Sequence, residues 1–137
     1  MSMIGTRVVR KEDPALLTEG GRYVADVGPT DALHAVFVRS VMAHGVIESV
    51  DTSEAQTMPG VAAVYTAADL ELSPEPPGNP MLNQGMTRTW LATDRVRYVG
   101  EPYAVVLAET CAQAVDAAEM IWAEIEPLDA VVTIPDA

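Results

Sequence analysis

Cysteine is nearly absent from this sequence: Cys111 is the only one among 137 residues. One thiol cannot close an intramolecular disulfide, so the fold must hold without such staples, as in a reducing compartment. Bases are scarce too, with 8 Lys and Arg against 20 Asp and Glu and a formal net charge of −12. Displacing phosphate counterions needs the opposite balance, which excludes nucleic acid and anionic membranes as partners. Five of the bases (Arg7, Arg10, Lys11, Arg22 and Arg39) lie at or before position 39, and from Tyr98 onward there are eight acids and no base. A solvated acidic surface accounts for this pattern; the sharper alternative is an acidic face docked on a basic partner. Long apolar runs are missing. Residues 103–108 form the longest, six residues, where a membrane helix needs about 20. Residues 1–10 lack the apolar run of a signal peptide. Together these absences predict a cytoplasmic protein.

What is present suits a globular domain. Hydrophobic residues make up 49% and charged residues 20%, outside the range of disordered or collagen-like chains. No internal repeat or linker interrupts residues 1–137, so one domain is expected. Asp13-Pro14 opens a short helical turn, with Asp13 as N-cap, and Gly20-Gly21 closes it. Residues 33–40 read as a strand apolar on both faces, hence central, and a turn at 42–45 would pair it as a hairpin with a strand over 45–50. Asp51 through Glu54 is a capping signature for a short helix, with Glu54 reaching back, and Pro59-Gly60 ends it. Residues 61–66 give a further strand. From Glu71 to Arg88 regularity collapses, with four prolines (Pro74, Pro76, Pro77, Pro80) and two glycines (Gly78, Gly85) in one long loop. Strand character returns at 95–99 and again, fully apolar, at 103–108. Thr110 then caps the clearest helix, with Gln113 completing the box and Ala114, Ala117, Ala118 and Ile121 on one stripe. Residues 123–128 alternate as a strand, and 130–134 suggest a last edge. The fold class is α+β: a mixed sheet of about six strands with two or three helices.

Chemistry is sparse. His34 and His44 lie ten residues apart and Cys111 stands far along the chain, so the three or four ligands of a zinc site are lacking. Cys111 at a helix start is read as a small helix residue, not an activated thiol. No glycine-rich phosphate cradle is present. Ser40 and His44 have neither a nucleophile elbow nor a supporting acid. Glu124 and Glu126 flank Ile125 on one strand face; an exposed charged face explains them better than acid–base catalysis. Met81, Leu82, Met86 and Trp90 in the long loop form candidate contact surface. No catalytic, cofactor-binding or metal-ligating residue is assigned.

Several phrases in order carry a family resemblance. They are Arg10-Lys11-Glu12-Asp13, Leu17-Thr18-Glu19-Gly20, Tyr23-Val24-Ala25-Asp26, Arg39-Ser40 with Ala43-His44, Pro59-Gly60-Val61-Ala62-Ala63-Val64, and Asp94-Arg95-Val96-Arg97-Tyr98-Val99-Gly100-Glu101-Pro102. Ala114-Val115-Asp116-Ala117-Ala118-Glu119 completes the series. Taken together they resemble the N-terminal α/β-hammerhead domain of the large subunit of molybdenum hydroxylases, the family of xanthine dehydrogenase, aldehyde oxidase and molybdenum carbon monoxide dehydrogenase. Family members usually continue Ala43-His44 with alanine, where this chain has Gly45.

The resemblance implies a large subunit that binds a molybdopterin dinucleotide cofactor and hydroxylates a carbon centre, or oxidises carbon monoxide, with water as oxygen source. It also implies iron–sulfur and flavin subunits as partners. The cofactor loops and catalytic glutamate belong to domains that follow the hammerhead, so this chain, ending at Ala137, is expected to be part of an oxidoreductase without being catalytic alone. Its expected role is a structural module packed against the molybdopterin-binding domain or subunit. The alternative is a free-standing protein-binding or assembly module, possible as a homodimer. Substrate, whether carbon monoxide, aldehyde or purine, is not encoded in these residues.

Overall fold

A computed structural model describes residues 4, 5, 7, 10–24, 27–29 and 31–136. The Ala25-Asp26 half of the Tyr23-Val24-Ala25-Asp26 phrase lies outside them. By contact the chain divides into two units, Met1–Ala32 and Leu33–Ala137.

The first unit carries α1 (Asp13–Thr18). Pro14 sits in its first turn, where the missing N–H costs nothing. The N-cap is Glu12, one residue before the expected Asp13, and no side chain caps it. Asp13 instead pairs with Arg10 at 3.2 Å. Gly20, at φ +75°, lies just past the C-cap Glu19, where a left-handed residue stops a helix.

The second unit holds six strands and two helices: β1 (His34–Arg39), β2 (Gly45–Asp51), α2 (Ser53–Gln56), β3 (Val61–Thr66), β4 (Arg95–Val96), β5 (Pro102–Ala108), α3 (Cys111–Glu119) and β6 (Trp122–Pro127). The α+β class is as expected, and the strands divide between two antiparallel sheets, ordered β1-β5-β3 and β4-β2-β6. β5 is central because both its faces are covered, with Tyr103, Ala104, Val105, Val106 and Ala108 all buried. α3 packs across β1 and β5. Its Ala114 and Ala117 have no exposure, and such small side chains let helix and sheet approach closely. The Thr110 hydroxyl caps it by accepting from the Gln113 N–H at 3.3 Å.

Besides the α1 cap, further expectations are corrected. β1 is an edge strand: Val36 and Val38 pack inward, while Phe37 stays half exposed beneath the Arg39 guanidinium, 5.8 Å from its ring centroid. The face of Leu33, Ala35 and Phe37 is therefore exposed, with the Arg39 guanidinium over the Phe37 ring. β1 and β2 form no hairpin. The Ser40 backbone is captured by the 100–101 turn, donating to Glu101 O at 2.9 Å and accepting from Gly100 N at 2.7 Å. Its hydroxyl holds Met42 N–H at 3.0 Å, so the chain bends into the other sheet. Glu54 does not reach back, because Asp51 still belongs to β2 and Thr52 is the N-cap. Asp51 accepts from Ser53 N–H at 2.9 Å. Residues 130–134 form no strand, since after Pro127 the chain is tied to His44 by Leu128 N–H, 3.0 Å from the His44 carbonyl, and ends in a 3-10 turn, Ile134–Asp136.

Candidate functional site

The irregular segment is a self-supported loop. Glu75 and Arg88 exchange backbone N–H···O bonds of 2.8 and 3.0 Å, closing its neck. Asn79 Oδ1 accepts from Met81 N–H at 2.9 Å, and Asn83 Oδ1 accepts from Gly85 N–H at 3.0 Å. These side chains mimic backbone turns, as their short amides favour. Gln84 Nε2 bridges to the carbonyls of Asn79 (3.1 Å) and Leu82 (3.0 Å). Fourteen residues closed at the neck and braced by their own polar side chains make an Ω-loop, a frequent carrier of function. Its apolar side chains face solvent: Met81, Leu82 and Met86 are exposed, as are the neighbouring Leu72 and Trp90. They are not packed beneath the loop. Pro76, Pro77, Leu82, Met86, Glu75 and Arg88 line an open groove of about 460 Å³, and the Arg88 guanidinium lies 5.7 Å from the Trp90 ring centroid.

The other sequence candidates are not brought together. His34 is exposed at the start of β1. His44 precedes β2, and its Nδ1 lies 2.7 Å from the Asp129 carbonyl, so that nitrogen carries the proton and donates. Ser40 is buried and bonded to the Met42 backbone. Cys111 is exposed at the first position of α3. Glu124 and Glu126 point to solvent from β6. Among the described residues, no group of three or more His, Cys, Asp or Glu could hold a metal ion.

One constellation was not anticipated. Asp94 binds two arginines, Arg95 Nε at 2.9 Å and Arg97 at 3.1 Å. The Arg95 hydrogen bond first, then Arg97, lowers the Asp94 carboxyl to about 2. Glu101, buried despite its charge, accepts the Arg97 backbone N–H and faces the Arg97 guanidinium at 3.9 Å. Arg39 donates to the Gly100 carbonyl at 2.9 Å. Gly100 itself turns at φ +91°, a conformation only glycine adopts readily. The clamp cuts β4 to two residues and holds Tyr98 and Val99 outward. Charged residues three and four apart in a loop carry no period; the usable signal was an acid between a glycine and the proline that opens the most apolar strand.

Comparison with known proteins gives these features a family. A family model described as the a/b hammerhead domain of aldehyde oxidase and xanthine dehydrogenase matches residues 18–129. The chain belongs to that family. Its hammerhead sequence is 45% identical over 133 residues to the nicotine 6-hydroxylase large subunit of Paenarthrobacter nicotinovorans, covering 95% of this chain and 16% of that relative. It is 38% identical over 133 residues to the carbon monoxide dehydrogenase large chain of Afipia carboxidovorans, covering 94% and 16%. The crystal structure of quinoline 2-oxidoreductase from Pseudomonas putida 86 is similar with a TM-score of 0.82 and 39% identity, over 96% of this chain and 17% of that one. The hammerhead chain thus spans about a sixth of the length of the curated relatives it matches.

Proposed function

We propose that this chain is a non-catalytic structural module of a molybdenum hydroxylase large subunit, packing against the domains that bind the molybdopterin dinucleotide. Residues 1–137 act as one hammerhead domain in this reading. Iron–sulfur and flavin subunits complete the enzyme, which works in the cytoplasm; no helix among the described residues is long and apolar enough to cross a membrane. The observation that carries the reading is coverage: relatives match nearly all of this chain yet keep more than four-fifths of their length elsewhere. One of them is named xanthine dehydrogenase molybdenum-binding subunit, from Escherichia coli O157:H7, at 31% identity.

In this reading the cofactor is held by the domains outside this chain. The N-terminus of α3, which could otherwise offer N–H groups to a diphosphate, has Gln113 N–H bound by Thr110 and Glu109 just ahead of it. No catalytic step is therefore placed on this chain. The test is to purify the tagged chain gently from its own host and weigh the complex by native mass spectrometry. Co-purification with a molybdopterin-containing polypeptide is expected. A bare 14.6 kDa species, or its homodimer, would overturn the reading in favour of a free-standing assembly module.

A further inference from the structure

The core of this chain is thin. Among the described residues, the largest side chains with no exposure are two valines, Val96 and Val106. Yet large apolar side chains stand outside it, and one group of them is rigidly held there. Tyr98 and Val99 are 56% and 64% exposed at the tip of the turn that Glu101, Arg97, Asp94 and Gly100 clamp. Val131 and Val132, 63% and 80% exposed, join them around a groove of about 310 Å³ with His44 at its side. His44 Nδ1 and the backbone bond from Leu128 fasten the start of that second segment.

In a chain of net charge −12, this groove has no carboxylate in its lining, and its Arg97 is neutralised by Asp94 and Glu101. Interfaces that are apolar and stripped of charge at their centre belong to permanent partners, whereas transient ones resemble ordinary surface. A preformed tip also loses little entropy on docking, which concentrates binding energy there. A buried carboxylate thus fixes a turn whose tyrosine and valine stand in water.

We infer that the Tyr98-Val99 tip, with Val131 and Val132, is the face on which the molybdopterin-binding part of the enzyme sits. The occupant is chosen because about five-sixths of each matched relative's length lies outside the matched region and the face suits a permanent apolar partner. This rests on the function proposed above, and the experiment separates the two. A photo-crosslinking amino acid is placed at position 98, at position 132 or at position 86 in the tagged chain, in its own host, and the complex is irradiated before purification. The expected result is a crosslink to the molybdopterin-containing polypeptide from positions 98 and 132. A crosslink from 86 alone, with the same polypeptide captured, overturns the face and leaves the function standing. Capture of no such polypeptide overturns both. Tyr98→Ser with Val99→Ser should lower co-purification of that polypeptide roughly tenfold or more, at unchanged far-UV circular dichroism. Undiminished capture by that folded variant would again overturn the face.

Discussion

Replacing Gly60 by alanine tests how β3 and α3 are joined. Gly60 has φ +80°, and a Cβ built there would meet Gln113 side-chain atoms at 2.1 to 2.6 Å. Its carbonyl accepts the Glu109 N–H at 2.9 Å, so the turn cannot simply swing away. Two costs follow. Holding an L-residue in the left-handed region costs roughly 1–2 kcal/mol. Gln113 can move, being flexible, but then loses the Thr110 hydroxyl donated to its Oε1 at 2.8 Å, a loss of roughly 0.5–1 kcal/mol. Gly60→Ala should therefore cost about 1.5–3 kcal/mol, lowering the urea midpoint by about 1 M or more with an unchanged slope. Far-UV circular dichroism is the suitable probe, because Trp90 and Trp122 are exposed and report the core poorly. In a Gln113→Ala background the clash is gone and only the backbone cost of about 1–2 kcal/mol should remain. A single-variant cost below about 0.5 kcal/mol would refute the need for glycine. Equal costs in the two backgrounds would refute the steric part.

Three further outcomes follow from other parts of the fold. Ala117→Leu, at a position with no exposure between α3 and the first sheet, should destabilise by about 1–3 kcal/mol through overpacking; thermal denaturation reads this, and an unshifted midpoint would contradict the close helix–sheet contact. Glu101→Ala strips the Arg97 N–H of its acceptor and should cost roughly 1–3 kcal/mol, with faster hydrogen exchange confined to 97–101; uniform exchange across the unit would argue against a local clamp. Asp94 titrates near 2 in the fold and near 3.8 unfolded, so its contribution is complete above about pH 4 and is lost as pH falls towards 2. Because its side chain is 55% exposed, screening limits that contribution to about 0.5–1 kcal/mol. The stability gap between wild type and Asp94→Asn should close between pH 4 and pH 2 and narrow in high salt; a gap constant across that range would remove the ion pairs from the account.

Local signals account for much of what the sequence made legible. The apolar run 103–108 marked the strand buried on both faces, and the Thr110 cap with an alanine stripe marked α3, because cap and stripe are read within one element. Pairing was not legible. Residues 33–40 and 45–50 look like hairpin arms by proximity, and only Ser40's bonds to Gly100 and Glu101, some sixty residues away, send them to separate sheets. The end of β4 escaped for a similar reason, being set by the Glu101 carboxylate in the turn before the next strand.

The candidate site divides along the same line. Prolines and glycines exposed the 71–88 loop as irregular, but its bracing by Asn79, Asn83 and Gln84 shows that irregular here means built, not loose. Of the residues usually searched for chemistry, the His44 Nδ1, the Ser40 hydroxyl and the capping Thr110 hydroxyl are each bonded to a backbone group. What this chain leaves uncommitted is apolar surface: Tyr98 and Val99 on a clamped turn, Met81 and Met86 on a braced loop. At both places polar networks hold hydrophobic side chains in water, Glu101 with Arg97 at the turn and Asn79 with Asn83 in the loop. That arrangement is the observation on which the proposed docking face rests.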